Sequence, residues 1–225
     1  MRPGMEPDLI PLDPAQALAE GLERVVFAHP GRPDRLLKVI RPYAPDTYTR
    51  MRMGDITKRL SRHAYLRPLL KEIAEYNRLR LVHPDLGADF PLAHFAGFAQ
   101  TSEGLAMVVE RVAGTDGGLA PTLADLLDAG SLDDGRLAAL NAFVGRLYTL
   151  DVRAGDLSAP NFVLGRRPGD DTDRWVLVDG FGDRHAIPVR SLGGWANRLG
   201  LDDCFKRMEG RIALTWDNKT RQFRR

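Results

Sequence analysis

WVLVDGFGDRH, residues 175–185, carries a compact apolar run, Trp175 to Val178, into Asp179 and a turn that holds Gly180 and Gly182. Asp-Gly after a strand is ordinary turn chemistry, and it is equally a way to hold a carboxylate out toward a cation. What decides between the two is whatever else in the chain converges on Asp179. Upstream, residues 154–161 read AGDLSAPN, with Asp156 and Asn161 five positions apart in a loop. Asn161 to Gly165 and Arg174 to Val178 are strand-like, and the polar stretch from Arg166 to Asp173 is predicted to turn one into the other. Such pairing carries Asn161 and Asp179 to the same end of a small sheet. An amide oxygen and a carboxylate are the hard ligands that Mg²⁺ takes, shared with substrate phosphates. Asp156, one loop away, is then placed to accept the proton of an attacking hydroxyl. The plainer readings are an Asp156 bonded to its own backbone and an Asn161 that simply opens a strand.

Working outward, the long stripe Leu137, Leu140, Val144, Leu147 and Tyr148 predicts a helix starting at Asp133 or Asp134. Thr122 is a candidate N-cap for a shorter helix to Ala129, with Asp125 at its third position. A last helical region is expected from Ser191 to Leu214. Ahead of these, the cluster Gly114-Thr115-Asp116-Gly117-Gly118 is a candidate hinge. It divides an N-terminal β-rich lobe with a helix, residues 1–113, from a C-terminal, mainly helical lobe, residues 114–225. Four strands are expected in the first part, Leu22–Ala28, Arg35–Ile40, Ala93–Gln100 and Leu105–Val112. The last is apolar on both faces and so is predicted to be internal. Residues 46–81 read as helical, with Leu66, Leu69, Leu70 and Ile73 on one face and Pro68 expected to split the region. The basic residues Arg50, Arg52, Lys58, Arg59, Arg62, Arg67 and Lys71 read as a solvated face, with a phosphate-binding surface as the alternative.

Lys38 stands in the middle of a strand, between Leu36, Leu37, Val39 and Ile40. An ammonium on a covered face needs a partner, and Glu72 or Glu75 on the following helix can supply one. A buried Lys–Glu pair is a poor device for stability, but it can hold a lysine on ATP phosphates.

Composition narrows the classes. The net charge of +2, from 32 basic and 30 acidic residues, argues against a nucleic-acid binder. A single cysteine, Cys204, excludes an internal disulfide framework and any zinc site of several thiolates. His29, His63, His83, His94 and His185 share no metal-ligand spacing. The opening MRPGMEPDLIPLDP is not a signal peptide, and no apolar run is long enough to span a bilayer, so no membrane partner and a cytoplasmic location are expected.

The order strand lysine, helix glutamate, hairpin, glycine hinge, helices, D-x-x-x-x-N, hairpin and D-x-x-G resembles the protein-kinase-like fold. More narrowly, FAHPGRPDRLLKVIRP, KEIAEYNRL, APNFVLGRRP and LVDGFGDRHAIPVRS resemble the YrbL family of PhoP regulatory network proteins. The resemblance implies an α+β, two-lobed chain with a small β-rich N-lobe and a reduced helical C-lobe. It implies that Lys38 binds the α/β-phosphates of ATP with Glu72 as the carboxylate partner, Glu75 being the alternative. Asp156 would orient or deprotonate the acceptor, Asn161 and Asp179 would hold Mg²⁺, and Glu110 to Ala113, with Val112, would meet the adenine. Gly21 is the one glycine where kinases have a glycine-rich loop, Ala154 stands where a histidine is usual, and no A-P-E segment follows Asp179. The expected function is transfer of a phosphoryl group to an unknown hydroxyl acceptor. The alternative is a non-catalytic, pseudokinase-type regulator acting through nucleotide or a regulatory protein partner.

Overall fold

The computed structural model describes residues 9–21, 24–41, 66–182 and 193–225. The basic residues Arg50, Arg52, Lys58, Arg59 and Arg62, the histidines His63 and His185, and Asp183 lie outside them. The chain divides into two compact units, Met1–Leu66 with His94–Arg111, and Arg67–Ala93 with Val112–Arg225.

The first unit is a five-stranded antiparallel sheet. Its strands are β1 (Ala19–Glu20), β2 (Arg24–Ala28), β3 (Arg35–Ile40), β4 (Phe95–Thr101) and β5 (Gly104–Glu110), in the order β1-β2-β3-β5-β4. The apolar strand β5 is internal, paired with β3 on one side and β4 on the other. The β2–β3 turn closes through the Arg32 N–H on the His29 carbonyl and the Arg35 N–H on the Arg32 carbonyl. The β4–β5 turn is pinned by the Thr101 hydroxyl, which donates to the Gly104 carbonyl at 2.7 Å. Leu37 and Val39 pack with Phe27, Ala106 and Val108 into the core of this unit, and Ile10, Leu12 and Ala17 lie against it. Strand alternation therefore turns Lys38 to the opposite face, where its register partners are Val26 and Met107.

The second unit contains α1 (Leu66–Val82, all but its first residue), α2 (Leu123–Asp128), α3 (Asp134–Thr149) and α4 (Gly194–Glu209). It also contains two hairpins, β6 (Phe162–Gly165) with β7 (Arg174–Leu177) and β8 (Thr215–Asp217) with β9 (Gln222–Arg224). Pro68 does not interrupt α1. It sits in the first turn, where its missing N–H leaves no bond unmade. Thr122 caps α2 in a full capping box with Asp125, and Asp133 caps α3 by accepting the Arg136 N–H at 2.7 Å. Leu79, Phe90, Leu92, Leu140, Val144, Leu147, Phe162, Leu177 and Phe205 share one core, which is why α1 belongs with the C-terminal residues. Phe205, Trp216 and Phe223 form an aromatic cluster with ring centroids 4.7–5.7 Å apart, and this seats the last hairpin. The run 114–118 is a closed turn: the Gly114 N–H reaches the Gly118 carbonyl, and the Asp116 carboxylate accepts the Gly118 N–H. No helix among the described residues is long and apolar enough to cross a membrane.

Candidate functional site

The β6–β7 hairpin determines where two of the expected ligands stand. Asn161 ends a short 3-10 turn, Ala159–Asn161, directly before β6, and its carbonyl accepts the Val178 N–H at 2.9 Å. Asp179 is the next residue, so both side chains leave the same end of the hairpin.

The loop that carries Asp156 is joined to the turn after Asp179 by main-chain bonds. The Gly155 and Asp156 N–H groups both donate to the Gly180 carbonyl at 3.1 Å, and the Gly182 N–H donates to the Arg153 carbonyl at 2.8 Å. Ala154 forms bridges with Phe181 and Gly182. This close approach requires glycine at residue 180. Its φ is +82°, and a Cβ there would lie 2.0 Å from the Asp156 carbonyl oxygen and 2.8 Å from Asn161 Nδ2. Gly182, with φ +92°, is in turn pressed against the α1 backbone, since a Cβ would stand 2.8 Å from the Lys71 carbonyl.

The chemistry of the cluster follows from one hydrogen bond. Asn161 Nδ2 donates to the Asp156 carbonyl at 3.1 Å. A carbonyl can only accept, so it is the amide nitrogen of Asn161, and not Oδ1, that faces it. One Asp179 oxygen takes the Gly180 N–H at 2.6 Å, which fixes the carboxylate at the head of the turn. An amide oxygen with a carboxylate fits magnesium, which binds through one or two protein ligands and keeps water or phosphate in the remaining positions. Among the described residues no group of three or more His, Cys, Asp or Glu side chains is placed to hold a metal ion.

Glu72 and Glu75 are both buried on α1, but their surroundings separate them. Glu75 forms a two-pronged pair with Arg78, at 2.9 and 2.7 Å, and accepts the Arg153 N–H at 2.8 Å. Arg78 Nη2 also donates to the Asp151 carbonyl at 2.7 Å. The hydrogen bond to Glu75 is the main influence that raises the Arg78 pKa, so the guanidinium stays charged. Asp151 has a left-handed φ of +51°, and its carboxylate accepts Asn197 Nδ2 at 2.9 Å. The same Asn197 amide donates to the Val152 carbonyl at 3.0 Å. Sequence reasoning passed over Asp151, Arg153, Arg78 and Asn197. For Asn197 a signal existed: it shares the buried stripe of α4 with Leu201, Cys204, Phe205 and Met208, where a polar residue needs a reason.

The other expected site residues are distributed as follows. Lys38 is buried on β3 of the first unit. Gly21 is exposed in the β1–β2 turn, and its N–H is engaged by the Arg24 carbonyl at 2.8 Å. Glu110 is buried at the end of β5, with its N–H on the His94 carbonyl. Val112 is buried, and its carbonyl accepts the Ala120 N–H at 3.1 Å.

An antiparallel sheet unit followed by a mainly helical unit, with the Asp156 loop bonded to the hairpin end that carries Asn161 and Asp179, defines an α+β protein. The chain belongs to the family described as PhoP regulatory network protein YrbL, which matches it over residues 10–212. Comparison with curated proteins returned no match. Among solved structures, the chain is similar to the PknI kinase domain of Mycobacterium tuberculosis in a single-mutant and a double-mutant form, at 18% identity in each case. The single mutant matches with a TM-score of 0.43 over 86% of this chain and 71% of that one. The double mutant matches with 0.45 over 91% and 74%.

Proposed function

We propose that this chain is a minimal kinase-like protein that binds ATP with magnesium and transfers the γ-phosphoryl group to a hydroxyl acceptor. The observation that supports it most is the Asp156–Asn161–Asp179 cluster, in which main-chain bonds hold a carboxylate loop against a hairpin end that offers hard oxygen ligands. In this reading Asp156 takes the acceptor's proton as the new oxygen–phosphorus bond forms and the bond to the ADP oxygen breaks. Asn161, through Oδ1, and Asp179 hold the magnesium ion, which when bound offsets charge on the phosphates. Lys38 carries the positive charge for the α/β-phosphates. Glu72 is the helix carboxylate of this reading, as the resemblance implies, and the engagement of Glu75 by Arg78 and Arg153 supports that choice. Glu110 and Val112 belong to the segment that meets the adenine. A cytoplasmic location, where ATP is at hand, is part of this reading.

A second reading, nucleotide binding without turnover in a regulatory protein, is favoured by Ala154. It is fully buried, offers no polar side chain where a histidine is usual, and its carbonyl is in contact with Cys204 Sγ at 3.7 Å.

A thermal-shift titration with ATP, with and without Mg²⁺, tests the binding site on the wild type and on Asp179→Asn. Ligand at a hundredfold excess over its Kd stabilises by about 2.7 kcal/mol. For a chain of this size that is a rise of about 5–10 °C. The magnesium-dependent part of the rise should vanish in Asp179→Asn. A wild-type melting curve that neither nucleotide nor metal moves overturns the proposal. A shift without ATP consumption in the presence of hydroxyl acceptors selects the second reading.

A further inference from the structure

Glu75 is buried and charged, and the proposed chemistry does not use it. A buried carboxylate is costly unless something compensates it, and here the compensation is specific. Arg78 Nε and Nη2 take both of its oxygens, and the Arg153 N–H takes Oε1 as well. The guanidinium does not stop at Glu75, because Nη2 also reaches the Asp151 carbonyl. One turn of α1 therefore grips the loop at both Asp151 and Arg153, just ahead of Asp156. A few residues earlier on the same helix, the backbone at Lys71 and Glu72 packs directly on Gly182, three residues after Asp179. The far side of the loop is held by Asn197 of α4, through the Asp151 carboxylate and the Val152 carbonyl.

We infer that Glu75 is a positioning residue: with Arg78 it latches α1 to residues 151–153 and thereby sets Asp156, and through the Asp156 carbonyl also Asn161, against the Asp179 turn. The inference rests on the proposed function for the purpose of that positioning, but the latch itself does not depend on nucleotide.

The test uses the full chain and two variants. Removing Arg78 alone would strand the buried Glu75 carboxylate, so the first variant is Glu75→Leu with Arg78→Leu, which takes away both charges and the acceptor for Arg153. The second, Glu75→Gln, keeps an oxygen for the Arg153 N–H and loses the ion pair. Amide hydrogen exchange at Arg153, Gly155 and Asp156 is compared with Leu147 in the last turn of α3. The expected result is exchange about tenfold faster or more at the three loop amides in the double variant, with Leu147 unchanged and Glu75→Gln intermediate. The ATP·Mg dissociation constant should rise about tenfold in the double variant. Loop exchange that stays at the wild-type rate, or that rises only in step with Leu147, overturns the latch. Faster loop exchange with an unaltered dissociation constant overturns the positioning role. A wild type that binds no ATP sinks the functional reading instead, and the exchange data still decide the latch.

Discussion

Replacing Gly180 with alanine should separate a working loop–turn junction from a chance proximity. The added methyl carbon would start 2.0 Å from the Asp156 carbonyl oxygen and 2.8 Å from Asn161 Nδ2, where ordinary contact begins at 3.4 Å. The loop must then withdraw by more than an ångström, because the first obstacle is backbone and not a side chain that can swing aside. Withdrawal breaks the bonds from the Gly155 and Asp156 N–H groups to the Gly180 carbonyl and from Asn161 to Asp156, three in all. At about 1 kcal/mol each, with about 1–2 kcal/mol for holding alanine at φ +82°, the substitution should cost about 4 kcal/mol. For a chain of this size that lowers Tm by roughly 10 °C. Differential scanning calorimetry reads the first effect, and the ATP·Mg-dependent rise in Tm, which should disappear, reads the second. A Gly180→Ala protein that melts within about 1 °C of wild type and still responds to ATP·Mg would refute the junction.

Two further outcomes follow from side chains outside the site. Tyr148 donates to the Asp202 carboxylate at 2.6 Å, and burial, followed by that bond, pushes its phenol pKa well above the ordinary 10.0. The folded protein thus holds the proton more tightly than the unfolded chain. This contribution is complete below about pH 10 and is lost as pH rises above it, by about 1.4 kcal/mol per pH unit. Urea denaturation between pH 8 and 11 should show that alkaline slope in wild type and a flatter one in Tyr148→Phe; equal slopes would exclude Tyr148 as its source. Thr122→Ala removes the side-chain half of the α2 capping box, the Thr122 hydroxyl that accepts the Asp125 N–H, and leaves the backbone N–H of residue 122 on the Asp125 carboxylate; it should cost about 1 kcal/mol, read as a lower urea midpoint at an unchanged m-value.

The elements that could be read from sequence are those whose cause is local. The β2–β3 and β4–β5 hairpins, the Thr122 cap and the stripe of α3 depend on neighbouring stretches of chain, and the internal place of β5, though made by its distant partner β3, is announced by its own two apolar faces. The meeting of Asn161 and Asp179 was legible for the same reason, since one short hairpin brings them together. What could not be read is long-range. Glu75 meets the Arg153 N–H across 78 residues, and Asn197 meets Asp151 across 46, with no spacing rule to announce either. Glu72 and Glu75 look alike in the sequence, and only the arginine one turn further along and the distant loop tell them apart. The β8–β9 hairpin escaped because each strand is three residues long with one buried aromatic, Trp216 or Phe223, too little for alternation to show. Its anchor is also remote: Asn141 on α3 brackets Phe223, donating to its carbonyl and accepting its N–H.

The seam between the Asp156 loop and the Asp179 turn has a chemical character with a practical consequence. Its bonds join peptide groups, with one neutral amide added, so no proton or counter-ion takes part in them. Salt therefore finds no charge pair to screen within these bonds, and the ion pair of Glu75 with Arg78 behind the loop is where ionic strength can act.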